Sequence, residues 1–144
     1  MPKTYLIDTN ILLEFMLSQN RGDECERLLT MLRDGTVRGV ITDFTIHSII
    51  VLMDRFKKLR ELETFLSSLT AYKGLYVYTT SIADEIKAVK AAEENGLDID
   101  DAIQYTAALS INADSIISFD KDLDNLKVPR KEPAQIITES SHHS

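Results

Sequence analysis

A chain of 144 residues is long enough for one domain and too short for two. With 44% hydrophobic and 27% charged residues it has the composition of a folded globular protein, which excludes a disordered chain and a collagen-like fibre. The single cysteine, Cys25, excludes a disulfide scaffold. The net charge of −7, from 16 Lys+Arg against 23 Asp+Glu, argues against a protein that holds nucleic acid by broad electrostatics. It leaves room for a site in which acids hold cations and the cations meet phosphates. No apolar run approaches the ~20 residues of a membrane span. The short N-terminal apolar stretch contains Asp8, unlike a signal peptide, so a cytoplasmic location is expected.

In chain order, Tyr5-Leu6-Ile7 reads as a short buried strand. Cys25, Leu28, Leu29 and Leu32 form a helical stripe that Gly35 ends. Val37 to Ile41 reads as a second strand, followed by helical stripes at Ile46, Ile49, Ile50, Met53 and at Leu62, Phe65, Leu66, Leu69. Gly74 introduces the strand formers Leu75 to Tyr78, packed as a strand. A helix through Ile82, Ile86 and Val89 stops near Gly96. Ala102 to Ile111 predicts a helix of small residues, Ser115 to Phe119 a strand, and Ala134 to Ile137 an edge strand. Residues 140–144 are set aside as a disordered tail, which leaves one domain over 1–139. Strands alternating with helices predict an α/β fold with a parallel sheet covered on both faces.

The acids fall where such a sheet binds ligands. Asp8 directly follows the first strand and Asp120 a late one, and ligands of open parallel sheets bind beyond the carboxyl ends of the strands. Asp98, Asp100 and Asp101 cluster ahead of the helix that feeds the second of these strands; Asp98 also reads as that helix's cap. Carboxylates converging within ~4 Å repel by about 4 kcal/mol per pair at an effective dielectric near 20. That repulsion raises a pKa unless cations hold the acids ionised. Oxygen-only donors suit magnesium or manganese, and those ions support attack of water on a phosphodiester. Removing one acid, as in Asp8→Asn, is then expected to stabilise the metal-free protein.

Three segments carry a family resemblance. Leu6-Ile7-Asp8-Thr9-Asn10-Ile11-Leu12-Leu13 resembles the opening motif of PIN domains, the ribonuclease family that includes toxins of VapC type. Asp101-Ala102-Ile103 resembles the family's Asp-Ala start to a central helix. The run from Ala113 to Leu123 is similar to its late strand and acidic loop. The resemblance spans about residues 3–138 and implies a single-domain, three-layer α/β/α fold of Rossmann-like type. It implies a Mg2+- or Mn2+-dependent endoribonuclease, with Asp8, Asp101 and Asp120 as catalytic metal ligands. Asn10 and Ser118 match positions that orient the acids, and Asp122 a frequent extra acid at the rim. It also implies an RNA substrate, an antitoxin protein as partner if the chain is the toxin of a pair, and a homodimer.

The chain departs from the pattern at Ser48, which aligns where the family places a Glu on the helix after the second strand. Serine is too short and too neutral to ligate a metal in its place. The alternative is therefore a catalytically weakened PIN-fold module that binds RNA or protein. Asp43 reads as a helix cap and His47 as a partly buried neighbour. Arg55, Lys57, Lys58 and Arg60 form one basic cluster that could meet RNA phosphates, and Lys127, Arg130 and Lys131 a second.

Overall fold

A computed structural model describes residues 2–141. It contains β1 (Thr4–Ile7), α1 (Thr9–Met16), α2 (Gly22–Asp34), β2 (Arg38–Thr42), α3 (Asp43–Arg55), α4 (Leu59–Leu69) and β3 (Leu75–Tyr78). These are followed by α5 (Ile82–Asn95), α6 (Ile99–Ser110), β4 (Ser115–Ile117), a 3-10 turn (Lys121–Leu123), β5 (Arg130–Lys131) and α7 (Pro133–Ser141).

The strands form one parallel sheet in the order β3-β2-β1-β4-β5. The chain builds outward from β1 through β2 to β3, then crosses back to place β4 on the other side of β1. The switch point of the sheet therefore lies between β1 and β4, where open α/β sheets bind ligands. Leu6 pairs with Ile116 and Ile7 with Ile117, so the residues that follow the two strands emerge side by side.

Alternation along the strands divides the core. Tyr5, Ile7, Ile41 and Ile117 pack with Leu28, Leu32, Ile49 and Met53 of α2 and α3. Leu6, Val40 and Ile116 face the opposite way, onto Tyr105 and Ala108 of α6. The expected Gly35 stop adopts a left-handed backbone at φ 80° and closes α2 onto Leu32 and Met31.

Gly74 is held more tightly than a strand leader requires. Its N–H donates to Leu32 O at 2.8 Å, and its carbonyl accepts from Gly39 N at 2.7 Å. A Cβ there would lie 2.2 Å from Val37 O and 2.9 Å from Leu32 O. Gly74→Ala is expected to cost about 3 kcal/mol by overpacking, read as a lower midpoint at unchanged slope in urea.

Several sequence expectations are corrected. Ala134 to Ile137 is helical, in α7, because Pro133 occupies the first turn where its missing N–H costs nothing; Ile136 and Ile137 are buried against the core. The edge strand is instead Arg130–Lys131, the two-residue β5. Residues Ser140 and Ser141, assigned to a tail, end this helix, and 142–144 lie outside the described residues. Tyr76 and Val77 on the edge strand β3 are about half exposed rather than packed. Helix α1 was not foreseen, and α6 begins at Ile99 rather than Ala102.

Candidate active site

The carboxyl ends of β1 and β4 and the N-terminal turns of α1, α3 and α6 surround an open cleft of about 550 Å³. Asp8, Asp101 and Asp120 all line it, as do Asn10 and Ser48. The three acids expected to converge do so.

Asp8 is buried and caps α1, accepting from Thr9 N at 2.7 Å. Its other oxygen accepts from Ser118 Oγ at 2.6 Å and Asn10 Nδ2 at 3.2 Å. Asn10 Nδ2 also reaches Ser118 Oγ at 3.1 Å, so these two residues tie the β1 end to the β4 end. Ser118 Oγ accepts from Asp120 N at 2.9 Å, which fixes the turn that carries Asp120. Asp120 in turn accepts from Asp122 N at 2.9 Å and caps the 3-10 turn.

Asp101, in the first turn of α6, is 6% exposed. Burial pushes its carboxyl up to about 8, and the adjoining carboxylate of Asp120 and the charge of Asp8 add to the shift. Burial also raises Asp8, assisted by the charges of Asp120 and Asp100 and opposed by the bonds from Ser118 and Thr9. The expected relief on removing an acid therefore belongs to Asp101. Asp8→Asn would turn an amide N–H₂ toward the Asn10 donor, and loses bonds where Asp101→Asn loses mainly repulsion.

Asp122 is exposed at the rim, and one oxygen each of Asp98, Asp101 and Asp122 lie within 4.8 Å of one another. Asp98 occupies the N-cap position of α6, but its side chain makes no cap bond. Asp100, next to Asp101, lines the cleft. The set is hard oxygen donors crowded enough to hold one another's protons. That chemistry fits a divalent cation such as Mg2+ or Mn2+.

On the opposite wall stands α3. Ser48 lines the cleft, so the wall carries a hydroxyl where the family pattern carries a carboxylate. Thr42, rather than Asp43, caps α3, accepting from Thr45 N at 3.1 Å. Asp43 instead accepts from Thr80 Oγ1 at 2.9 Å. His47 is exposed on the cleft wall, not partly buried.

Sequence reasoning missed the group that seats this wall. Gln104 is buried on α6, with Nε2 donating to Thr45 Oγ1 at 2.7 Å and Thr9 Oγ1 at 3.2 Å. The Thr9 and Thr45 hydroxyls meet at 2.8 Å, and Thr42 Oγ1 donates to Thr45 Oγ1 at 3.3 Å. One amide thus joins α1, α3 and α6 directly behind the acids. Three threonines and a glutamine scattered over 95 positions offer no spacing signal that would reveal this.

The basic clusters separate. Of the first, Arg55 lines the cleft, whereas Lys57 and Arg60 open onto another depression with Asp54 and Glu61; Lys58 stands at the N-cap of α4. In the second, Arg130 and Lys131 are neutralised by acids. Arg130 holds Asp124 at 2.7 Å and Glu132 at 2.8 Å, and Lys131 holds Glu139 at 2.6 Å. Lys127 borders a groove between α5 and α6 beside Lys87 and Lys90.

Among solved structures, the chain is similar to a toxin–antitoxin complex from Klebsiella pneumoniae (20% identity over 90% of this chain and 97% of that one, TM-score 0.67). It is similar also to VapC20 of Mycobacterium tuberculosis, described as a sarcin–ricin-loop-cleaving toxin (14% identity, 82% and 91% covered, TM-score 0.67). A third is VapBC2 of Rickettsia felis bound to a promoter DNA fragment (15% identity, 90% and 98% covered, TM-score 0.65). At these identities the likeness is one of fold. No curated protein matches the chain. The PIN domain family model matches residues 5–129, from the first strand to beyond the last of the three acids, and the chain belongs to the PIN domain family.

Proposed function

We propose that this protein is an endoribonuclease dependent on Mg2+ or Mn2+ and the toxin of a toxin–antitoxin pair. The observation that carries the reading is the gathering of Asp8, Asp101 and Asp120 in one cleft at the switch point of the sheet. Asp8, Asp101 and Asp120 would hold the cation. When bound, such an ion lowers the pKa of water and polarises a phosphoryl oxygen. The chain's own part is positioning. Ser118 and Asn10 fix Asp8 by hydrogen bonds, and the Ser118 hydroxyl fixes the turn bearing Asp120. Gln104 keeps α3 at a set distance from the acids.

The partners in this reading are RNA, an antitoxin protein and a second copy of the chain. Ile82, Ile86 and Val89, exposed along α5, are apolar surface for protein contact. No described helix is long and apolar enough to cross a membrane. Ser48 supports a second reading, a weakened PIN-fold module that binds RNA or protein without efficient cleavage.

Cleavage of mixed RNA against manganese concentration, with Asp8→Asn as the blank, separates the two. Metal-dependent cutting by the wild type alone supports the nuclease. Wild type and blank that cannot be told apart at every concentration leave the binding module.

A further inference from the structure

The cleft has two unlike walls. The acids stand on one, and the other is a face of α3 in which Phe44, Ser48, Leu52 and Arg55 recur at i, i+4, i+8 and i+11, with half-exposed Val51 beside them. Arg55 differs from the other arginines whose contacts are defined. Arg21, Arg33 and Arg130 each hold a carboxylate, and Arg38 lies over the Tyr76 ring. Arg55 is exposed on the cleft and pairs with no acid among the described residues. A guanidinium left free above an acid-lined cleft suits an anion that arrives with the substrate. The apolar side chains between it and the acids suit the sugars and bases of a single strand.

The spacing can be read off the helix. The Thr9–Thr45 hydrogen bond sets the start of α3 beside Asp8. Arg55 lies ten residues further on, about 15 Å along the axis at ~1.5 Å per residue. At ~3.4 Å per stacked nucleotide, that is about four nucleotides. Resting on the ribonuclease reading, we propose that Arg55 holds a backbone phosphate of single-stranded RNA about four nucleotides from the cut. The strand runs over Val51 and Leu52, and this face of α3 sets the shortest RNA the cleft cuts well. Lys57 and Arg60, around the corner beside Asp54 and Glu61, take no part.

The test is single-turnover cleavage with manganese of a mixed-sequence 12-mer and a 4-mer by wild type, Arg55→Gln, Arg55→Lys and the double variant Lys57→Gln/Arg60→Gln. Binding of the 12-mer is followed separately by fluorescence anisotropy in an Asp101→Asn background. Arg55→Gln should raise the half-saturating 12-mer concentration about five- to tenfold with the cleavage step unchanged, the signature of lost uniform binding. It should leave the 4-mer unaffected, and flatten the plot of log affinity against log salt by about 0.7. Arg55→Lys should recover most of the loss, and the double variant should match wild type. Arg55→Gln indistinguishable from wild type on the 12-mer, or a loss shared equally by the 4-mer, overturns the proposal while leaving the nuclease intact. Wild type that neither binds nor cuts RNA overturns the ribonuclease reading itself. The side chain is exposed and unpaired, so an unchanged melting temperature for Arg55→Gln will show that the fold is not at issue.

Discussion

Without metal, the wild type should lose thermal stability steadily as pH rises from about 4 to about 8, and Asp101→Asn should lose much less. The native carboxyl of Asp101 titrates at about 8 against an ordinary value of 3.8. Across that interval the folded protein keeps a proton that the unfolded chain has released, so stability falls with rising pH. The contribution is complete below pH ~4 and spent above pH ~8. Melting curves in a chelator at pH 5, 6.5 and 8 should therefore show the variant gaining on the wild type, and overtaking it by several degrees at the top of the range. In a chain this size, ~1 kcal/mol moves the midpoint by about 2–4 °C. Manganese should reverse the order, because it binds the native carboxylates and displaces the proton. In the same variant, manganese-dependent RNA cleavage should fall by more than the roughly 10–100-fold that loss of an outer partner of a metal ligand costs. A parallel decline in both proteins from pH 5 to 8 would show that Asp101 does not hold the proton.

Ser48→Glu should shift the manganese concentration for half-maximal cleavage down by about tenfold, the equivalent of ~1.4 kcal/mol of added binding. Ser48 faces the cleft from α3, across from the acids, so a longer side chain at that point extends toward them. Three aspartates supply enough charge to anchor one cation well and a second only weakly, and two-metal hydrolysis needs both held about 3.5–4 Å apart. The wild type should accordingly need millimolar metal and work better with manganese, which binds such donors more tightly than magnesium. Calorimetric titration with manganese alone should show the same gain in affinity without RNA present. An unchanged titration with unchanged cleavage would mean that α3 stands too far away to contribute a ligand.

What could be read in the sequence was what periodicity and strand ends encode. Asp8 and Asp120 were legible because each closes an apolar run, and a parallel sheet puts the ends of adjacent strands on one edge. Asp101 was legible through the Asp-Ala start of its helix. The C-terminal elements were not. Ile136 and Ile137 look like strand formers, while Pro133, whose fixed φ suits a first helical turn, was the overlooked sign. Two residues of β5 are too few to show any alternation. The pairing of Arg130 and Lys131 with acids up to eight positions away depends on the return of the chain into the sheet. Composition counts such cations as available when folding has already used them.

Asp8 arrives at the site already immobilised. Its three donors come from Thr9, Asn10 and Ser118, two at the start of α1 and one beyond β4, so neither oxygen is free to choose a rotamer. The ordering entropy that a flexible acid would lose on capturing an ion has been charged to folding instead, which leaves more of the binding free energy for affinity. The same rigidity narrows the choice of ion. A cage with one immovable corner discriminates by radius, and the adjustment that a larger cation such as calcium demands must come from Asp101 and Asp120 alone.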